Sequence, residues 1–174
     1  MAVSGVLNNI LKAHAGSFDI KENINIENRT FSAYARFAEQ NEKYVLTRKA
    51  NIWTILGFEH ILFNEVDRVT MSDISEGEAF MREYMEPVFV RGGNKYPPQN
   101  HMYTYLTFVL ISNKKVDSEI KSRIEKYKFE KNYLFTVRGH SIGRLICVDE
   151  ESKSIITSKS AKEMKNIYEA IISK

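Results

Sequence analysis

The basic and histidine side chains of the C-terminal half are the residues whose types and spacing could do chemistry. A polar stretch at residues 91–101 opens with Arg91, contains two glycines and two prolines, and ends at His101. A polar loop that feeds a buried strand often carries function, because a rigid scaffold aims its side chains. We therefore predict an anion site built from this loop and from the segment around Gly139. The candidate ligand-binding residues are Arg91, Lys95, His101, Arg138, His140 and Arg144.

Backbone amides and tyrosine rings would complete such a site. Peptide N–H groups of Gly92, Gly93 and Gly139 are suited to binding anion oxygens, because successive amides in tight turns form concave donor sites. The rings of Tyr96 and Tyr103 would offer stacking surfaces for a base. The sequence places both kinds of group beside the candidate cations.

Charge is distributed unevenly along the chain, whose formal net charge is +3. Residues 1–90 contain 9 basic and 13 acidic residues, a balance of −4. Residues 91–174 contain 16 basic and 9 acidic residues, a balance of +7. A basic surface attracts anionic partners. The leading prediction is a non-enzymatic binding or regulatory module whose basic C-terminal half recognises an anionic ligand or a nucleic acid.

No sequence motif points to a particular enzymatic reaction. The chain lacks the GxGxxG, P-loop, CxxC and HExxH patterns. Gly92-Gly93 follows a predicted helix and precedes a predicted strand, the reverse of the order in a dinucleotide-binding turn. Gly139-His140-Ser141 joins two predicted strands, whereas a nucleophile elbow lies between a strand and a helix. The histidines are not paired at metal-ligand spacing, so neither a metal nor a cofactor is predicted.

Two other functions stay open as alternatives. A metal-dependent hydrolase or nuclease of the restriction-endonuclease-like type, active or degenerate, needs an aspartate and a Glu-x-Lys on neighbouring strands to hold a metal and activate water. Glu119-Ile120-Lys121 falls in a predicted helix, and Glu151-Ser152-Lys153 falls in a predicted turn after Asp149. The second alternative is a homodimeric assembly protein, with the central strand or the aromatic-rich meander at its interface.

Size and composition predict one globular domain over residues 1–174. The chain is 43% hydrophobic and 11% aromatic, which is ample for a packed core. No apolar run reaches the roughly 20 residues of a membrane helix, and the first residues do not resemble a signal peptide. The single Cys147 cannot form an internal disulfide and is expected in the core. These features predict a soluble, cytoplasmic protein without a membrane partner.

Hydrophobic periodicity predicts a helix and an antiparallel meander in the N-terminal half. Leu7, Ile10 and Leu11 share one helical face, and the residues of 18–26 alternate between apolar and polar. The predicted elements are a helix at 5–14, strands at 18–26, 31–38, 43–49 and 52–63, and a hairpin connection at 39–42. The next helix is capped by Ser72 or Asp73, buries Met81, Tyr84, Met85 and Val88, and ends near Pro87.

The apolar run at residues 102–112 predicts a central strand that is buried on both faces. The elements predicted after it are a helix capped by Asp117, strands at 132–138, 144–149 and 155–157, a turn between Gly139 and Gly143, and a last helix opened by a Ser160–Glu163 capping box. Strand, helix and strand over 102–138 predict a parallel crossover. The predicted fold class is α+β: a single domain whose N-terminal antiparallel meander joins a strand-helix-strand unit in a twisted mixed sheet, with helices packed on it.

Three stretches carry a resemblance to a known family. They are Asn41-Glu42-Lys43-Tyr44-Val45-Leu46-Thr47-Arg48-Lys49, His101-Met102-Tyr103-Thr104-Tyr105 and Arg144-Leu145-Ile146-Cys147-Val148-Asp149. With the order of elements, they resemble an uncharacterised family of small bacterial and archaeal proteins. That family has no assigned activity or catalytic residues. The resemblance therefore implies a prokaryotic, cytoplasmic, stand-alone domain and implies nothing about the reaction or the ligand.

Overall fold

The structure, a computed structural model, describes residues 3–43 and 53–173. Within these ranges the strands are β1 (Asp19–Ile26), β2 (Arg29–Lys43), β3 (Trp53–Val66), β4 (His101–Ser112), β5 (Phe129–Asn132), β6 (His140–Asp149) and β7 (Ser154–Thr157). The helices are α1 (Gly5–His14), α2 (Met71–Phe80), a π-helix (Met81–Val90), α3 (Ser118–Glu125), a 3-10 turn (Lys159–Ala161) and α4 (Met164–Ile172).

The strands form one mixed sheet in the order β1-β2-β3-β4-β6-β5, with β7 paired to the second half of β6. The strands β1, β2 and β3 make an antiparallel meander. β4 lies between β3 and β6 and is parallel to both. The α+β class, the meander and the central position of β4 are therefore confirmed.

Helices cover both faces of this sheet. Side chains of a strand alternate between its two sides, so the apolar residues of one strand pack against helices on both faces. Leu106, Phe108 and Leu110 of β4 pack on the face covered by α2, the π-helix and α3. Val109 and Ile111 pack on the face covered by α1 and α4. Each fully buried side chain of this size contributes about 1.5–3 kcal/mol relative to an exposed one. Within the described residues, no helix is long and apolar enough to cross a membrane.

The N-terminal half departs from the prediction at the hairpin connection. Residues 39–42 belong to β2, which continues to Lys43 and pairs with β3 as far as Trp53. The predicted connection there is wrong. β1 stops pairing with β2 at Arg36, and within the described residues no other strand pairs with that side of β2 beyond it. A polar sequence is tolerated at such an edge. The strand predicted at 43–49 lies, beyond Lys43, outside the described residues.

The helix α2 begins at a different cap from the one predicted. Thr70 is the N-cap, because its hydroxyl accepts from the amide of Asp73 and the Asp73 carboxylate accepts from the amide of Thr70. This capping box satisfies two amides that the first turn leaves free. Ser72 and Asp73 lie one and two residues inside the helix rather than at its cap.

The helix does not end near Pro87 but continues as the π-helix to Val90. Hydrogen bonds from residue i to i+5 place residues four and five apart on one face. Met81, Met85, Glu86 and Val90 are accordingly buried, whereas Val88 is 41% exposed. The predicted burial of Met81 and Met85 is confirmed. The α-helical period wrongly predicts that Val88 is buried, and it does not predict the burial of Glu86.

The strand predicted at 132–138 is wrong. β5 ends at Asn132, and a turn follows in which Leu134, Phe135 and Thr136 have left-handed φ values of 49°, 52° and 72°. Phe135 is 98% exposed, so its apolar side chain is not part of a buried strand face. The strand that follows α3 and pairs in parallel with β4 is β6. Because β6 begins at His140 and contains Gly143, the turn predicted between Gly139 and Gly143 is wrong.

The caps of the last two helices also differ from the prediction. Asp117 precedes α3 as predicted but makes no side-chain capping hydrogen bond. The Ser160–Glu163 capping box is absent, because a 3-10 turn occupies its start and α4 begins at Met164. Ser160 instead donates its hydroxyl proton to the carbonyl of Gly143 at 2.7 Å, which joins this segment to β6.

Candidate functional site

A cavity of about 520 Å³ lies beneath the 91–98 loop, and we call it the loop cavity. Its floor comes from β2 and β3, and its sides come from the end of the π-helix and from the loop. A volume of this size suits a small-molecule ligand. The lining residues are Tyr34, Arg36, Phe58, His60, Phe89, Val90, Arg91, Gly92, Asn94, Tyr96, Pro97 and Pro98.

Strand register brings the floor of the cavity together. Arg36 of β2 lies opposite His60 of β3. Tyr34 is two residues from Arg36, and Phe58 is two residues from His60, so all four side chains point to the same face of the sheet. This face is the one covered by the π-helix, so Phe89 lies over the floor and stacks on His60 at 4.9 Å between ring centroids.

Arg36 supplies a cation that is open to the cavity. Its side chain is exposed, and its guanidinium lies 6.0 Å from the centroid of the Phe58 ring. Asp19 is its neighbour across β1, but the two make no ion pair. None of the ion pairs within the described ranges involves Arg36. A guanidinium without an ion pair among the described residues, with a ring beside it, is well placed to bind an anion.

Tyr34 and His60 form a buried pair on the cavity floor. The Tyr34 hydroxyl lies 2.6 Å from Nδ1 of His60. Burial, and secondarily the charge of Arg36, lowers the pKa of His60 to about 4. Burial raises the pKa of Tyr34 to about 12, with Arg36 opposing it. In the neutral tautomer that carries its proton on Nε2, Nδ1 of His60 accepts from the Tyr34 hydroxyl.

The Nε2–H of His60 in this tautomer is a candidate donor to a ligand. It makes no hydrogen bond within the described residues, and His60 lines the loop cavity. The floor thus offers two donors, this N–H and the Arg36 guanidinium, beside the flat faces of Phe58 and Phe89.

A carboxylate from the π-helix ties the loop to the rest of the protein. Glu86 accepts from Nε of Arg91 at 2.7 Å and from the Tyr133 hydroxyl at 2.8 Å, and it pairs with Nζ of Lys131 at 3.0 Å. Burial alone would raise the pKa of Glu86, but these hydrogen bonds outweigh burial and hold the pKa below its ordinary value. Arg91 lines the cavity, yet Glu86 offsets its charge.

A second anchor holds the other end of the loop. Arg138 donates to the carbonyl of Pro97 at 3.1 Å, and its own carbonyl accepts from Nδ1 of His101 at 2.8 Å. Nε2 of His101 then accepts from the Thr104 hydroxyl at 2.8 Å. Burial lowers the pKa of His101, which keeps this tautomer neutral. His101 stacks behind Phe58 at 6.4 Å and supports the cavity from outside it.

The six predicted residues do not converge on one site. Arg91 lines the loop cavity, and Arg138 and His101 hold its frame. Lys95 lies over the ring of Tyr96 at 5.3 Å. His140 is half-buried in β6 opposite Tyr103 and is not among the residues of the cavity lining.

Arg144 lies on the other face of the sheet, in a buried ionic cluster. It donates to Glu59 at 3.3 Å, to Glu163 at 2.9 Å and to the carbonyl of Ser160 at 3.0 Å. Its guanidinium stacks 3.5 Å from the centroid of the Tyr105 ring. Burial raises the pKa of Glu59, and Arg144 opposes this. These contacts join β3, β4 and β6 to the segment that precedes α4, so the guanidinium is already fully engaged.

The sequence reasoning missed four residues of the cavity floor: Tyr34, Arg36, Phe58 and His60. Their signal is alternation, since each pair falls on one face of a predicted strand. Alternation alone could not show that the two faces adjoin, because that depends on the register between β2 and β3.

The alternative chemistry gains no support from side-chain positions. Glu119 and Lys121 lie in α3, and Glu151 and Lys153 lie in the turn between β6 and β7, so neither Glu-x-Lys is on a strand. Over residues 3–43 and 53–173, no group of three or more histidine, cysteine or acidic side chains is arranged to hold a metal. Cys147 is buried as predicted, and burial raises its pKa to about 12.

Fold and site together define a class of protein: an α+β domain with an aromatic cavity beneath a glycine-containing loop. Among the described residues, one arginine of this cavity, Arg36, makes no ion pair. A family model described as Domain of unknown function (DUF8052) matches residues 3–170. The chain belongs to this family, and the resemblance to an uncharacterised family is confirmed. Comparison with curated proteins gave no match, and comparison with solved structures gave none either. The function must therefore be argued from the site.

The His60 pKa predicts a specific loss of stability in acid. Because the folded pKa is about 4 and the ordinary value is 6.5, the unfolded chain binds the proton first, and stability falls as pH drops from 6.5 toward 4. His60 alone accounts for about 2 kcal/mol between pH 7 and pH 5. Urea unfolding at these two pH values should show a smaller loss for His60→Gln than for the wild type. Equal losses in both proteins would contradict a neutral, buried His60.

Proposed function

We propose that the protein is a non-enzymatic binding module that holds a small planar anion in the loop cavity. The observation that carries the proposal is Arg36, an arginine without an ion pair in the described residues, beside ring faces and the His60 imidazole. The ligand class is an aromatic or heteroaromatic ring that bears a carboxylate or a phosphate.

The polar groups of the cavity favour an acceptor-rich ligand. Arg36 and His60 offer donor groups, and the carboxylate of Glu86, which pairs with the lining residue Arg91, also binds Lys131 and Tyr133. Among the described lining residues there is no aspartate or glutamate to repel an anion. They also include no serine, threonine or cysteine. Burial raises the pKa of Tyr34 to about 12, which disfavours its nucleophilic phenolate form and supports binding without a chemical step.

The apolar groups of the cavity favour a flat ring. The ring of His60 stacks with those of Tyr34 and Phe89, with interplanar angles of 12° and 27°. Tyr96, Pro97 and Pro98 add further apolar groups to the lining. A planar ligand would contact such walls over both of its faces, and each ring contact adds to the area removed from water.

Calorimetric titration with three matched probes tests the proposal. Adenosine monophosphate carries both a flat ring and an anion, adenosine carries the ring alone, and inorganic phosphate carries the anion alone. We expect adenosine monophosphate to bind at least about tenfold more tightly than either partial probe, because only it uses both halves of the cavity. Binding should weaken as salt rises, since one partner of the contact is a guanidinium.

The matched variants are Arg36→Ala and Arg29→Ala, which remove a cation from the same strand. Arg29 lies over Phe80 and lines a different cavity, so its loss should leave affinity unchanged. Arg36→Ala should lower the affinity for adenosine monophosphate by about tenfold or more and leave the affinity for adenosine unchanged. The proposal fails if no ring-bearing anion binds, including indole-3-acetate as a carboxylate probe, or if both variants bind alike.

We further propose that the protein works in the prokaryotic cytoplasm. The resemblance to bacterial and archaeal proteins supports this, as does a single buried cysteine, which has no partner for an internal disulfide. Fractionation of cells that express the tagged full chain tests the location: recovery in the periplasm or outside the cell would overturn it.

A further inference from the structure

The edge strand β7 forms the floor of a second cavity, of about 460 Å³, far along the sheet from the loop cavity. All four residues of β7, Ser154–Thr157, line it. α3 flanks the strand on one face of the sheet and α4 flanks it on the other. We call this cavity the edge cleft.

The outer side of β7 is unpaired. Hydrogen bonding alternates along an antiparallel pair, and Ser158 donates its amide proton to the carbonyl of Leu145 at 2.8 Å. Counting back from Ser158, the backbone groups of Ile156 and Ser154 face β6, and those of Ile155 and Thr157 face the cleft. Within the described residues no strand pairs with this side of β7.

Lysines line the edge cleft from both faces of the sheet. Lys121 belongs to α3, Lys165 to α4, and Lys159 and Lys162 to the 3-10 segment between β7 and α4. Glu125 is the acidic residue of the described lining. Lys165 has a long contact of 3.9 Å with Glu169, whereas Lys121, Lys159 and Lys162 make no ion pair in the part of the chain described. Part of the basic excess of the C-terminal half is therefore concentrated here.

We propose that the edge cleft binds an acidic, extended segment of a partner protein, which adds to the sheet as a strand beside β7. Such pairing uses the backbone groups of Ile155 and Thr157 for affinity and side-chain contacts for specificity. Successive side chains of an added strand point to opposite faces. Consecutive carboxylates would thus reach Lys121 of α3 on one side and Lys165 of α4 on the other, with Lys159 and Lys162 also in the lining.

The same lysines explain why the occupant is acidic. Charged residues at a sheet edge keep neutral and apolar strands from pairing, which protects a protein from aggregation. A strand that carries carboxylates instead gains from each lysine that it neutralises. A single-stranded nucleic acid is less well matched, because its binding sites stack bases on aromatic rings and the described lining of the edge cleft has no aromatic residue.

Fluorescence anisotropy with a labelled eight-residue peptide tests this inference on the full chain. The peptide has four consecutive acidic residues between valine and threonine flanks. One control peptide has the same sequence with two N-methylated central peptide bonds, which keeps the charge and removes strand pairing. Another replaces the acidic residues with lysine. We expect the first peptide to bind at least about tenfold more tightly than either control.

Charge reversal locates the binding. Lys159→Glu with Lys162→Glu should weaken the acidic peptide by about tenfold or more, and the matched pair Lys12→Glu with Lys21→Glu, on α1 and β1, should change it by less than about twofold. Circular dichroism confirms that each variant is folded. Amide exchange at Ser154–Thr157 should slow when the peptide binds. Three results overturn the inference: no peptide binding, equal binding of the N-methylated peptide, or displacement at lower concentration by a single-stranded oligonucleotide or tripolyphosphate.

Discussion

Replacing Glu86 with alanine is expected to lower the free energy of unfolding by roughly 3 kcal/mol and to loosen the 91–98 loop. Glu86 is 2% exposed. Its carboxylate accepts hydrogen bonds from Arg91 and Tyr133 and forms an ion pair with Lys131. Its removal would leave the Tyr133 hydroxyl and the half-enclosed guanidinium without their acceptor, which costs more than the lost contacts themselves. Urea unfolding measures the stability, and calorimetry should show weaker binding of adenosine monophosphate, since Arg91 would no longer be held.

Glu83→Ala is the matched control, because Glu83 lies on the exposed side of the same π-helix. We expect it to change stability by less than about 0.5 kcal/mol. Glu86→Gln should keep the shape but remove the charge, and it should therefore reduce the loss of stability in acid. That loss occurs because the pKa of Glu86 is lower in the folded state, so stability falls as pH drops through that pKa. Equal stability of Glu86→Ala and Glu83→Ala would contradict the proposed anchor.

Gly139→Ala is expected to lower the free energy of unfolding by about 3 kcal/mol or more. Gly139 has a φ of +74°, and an added Cβ would lie 2.2 Å from the carbonyl oxygen of Met102. The obstacle is backbone, so β4 and the turn before β6 would have to separate. Arg138, next to Gly139, would then move away from Pro97 and His101, and the loop cavity would lose its second anchor. Thermal and urea unfolding give the measurement.

Gly93→Ala separates the two parts of this effect. Gly93 has a similar φ of +77°, but an added Cβ would meet nothing within 4 Å. This substitution should therefore cost only the left-handed backbone strain, about 1 kcal/mol. If both substitutions lower the free energy of unfolding equally, the close packing of Gly139 against β4 does not stabilise the fold. That result would contradict the proposed role of Arg138 as the second anchor of the loop.

The parts of the fold that follow from local patterns were predictable. α1 shows a regular apolar face and has the predicted bounds, and β4 is so apolar that a central position could be inferred. The failures have physical causes that a local pattern does not contain. The turn after β5 puts three non-glycine residues in left-handed conformations, and the exposed Phe135 imitates a strand residue.

The site was predictable only in part for a related reason. The sequence points to the loop because its polar residues precede the central strand, and the loop does line the cavity. The sequence analysis named Arg91 as a ligand-binding residue and did not consider Arg36. The Glu86 carboxylate that pairs with Arg91 is buried by π-helical hydrogen bonding, which an α-helical period does not predict. Arg36 and His60 are 24 residues apart and meet only through the register of β2 and β3. That register is a property of the assembled sheet.

The most direct test of the loop cavity is a two-dimensional ¹H–¹⁵N NMR titration of the full chain with adenosine monophosphate. We predict shifts at the amides of Arg36, His60, Arg91, Gly92, Asn94 and Tyr96, all of which line the cavity. Arg36→Ala should abolish these shifts at the same probe concentration. Shifts confined to the lysines of the edge cleft, with the loop unchanged, would contradict the account and place the anion site on the opposite part of the sheet.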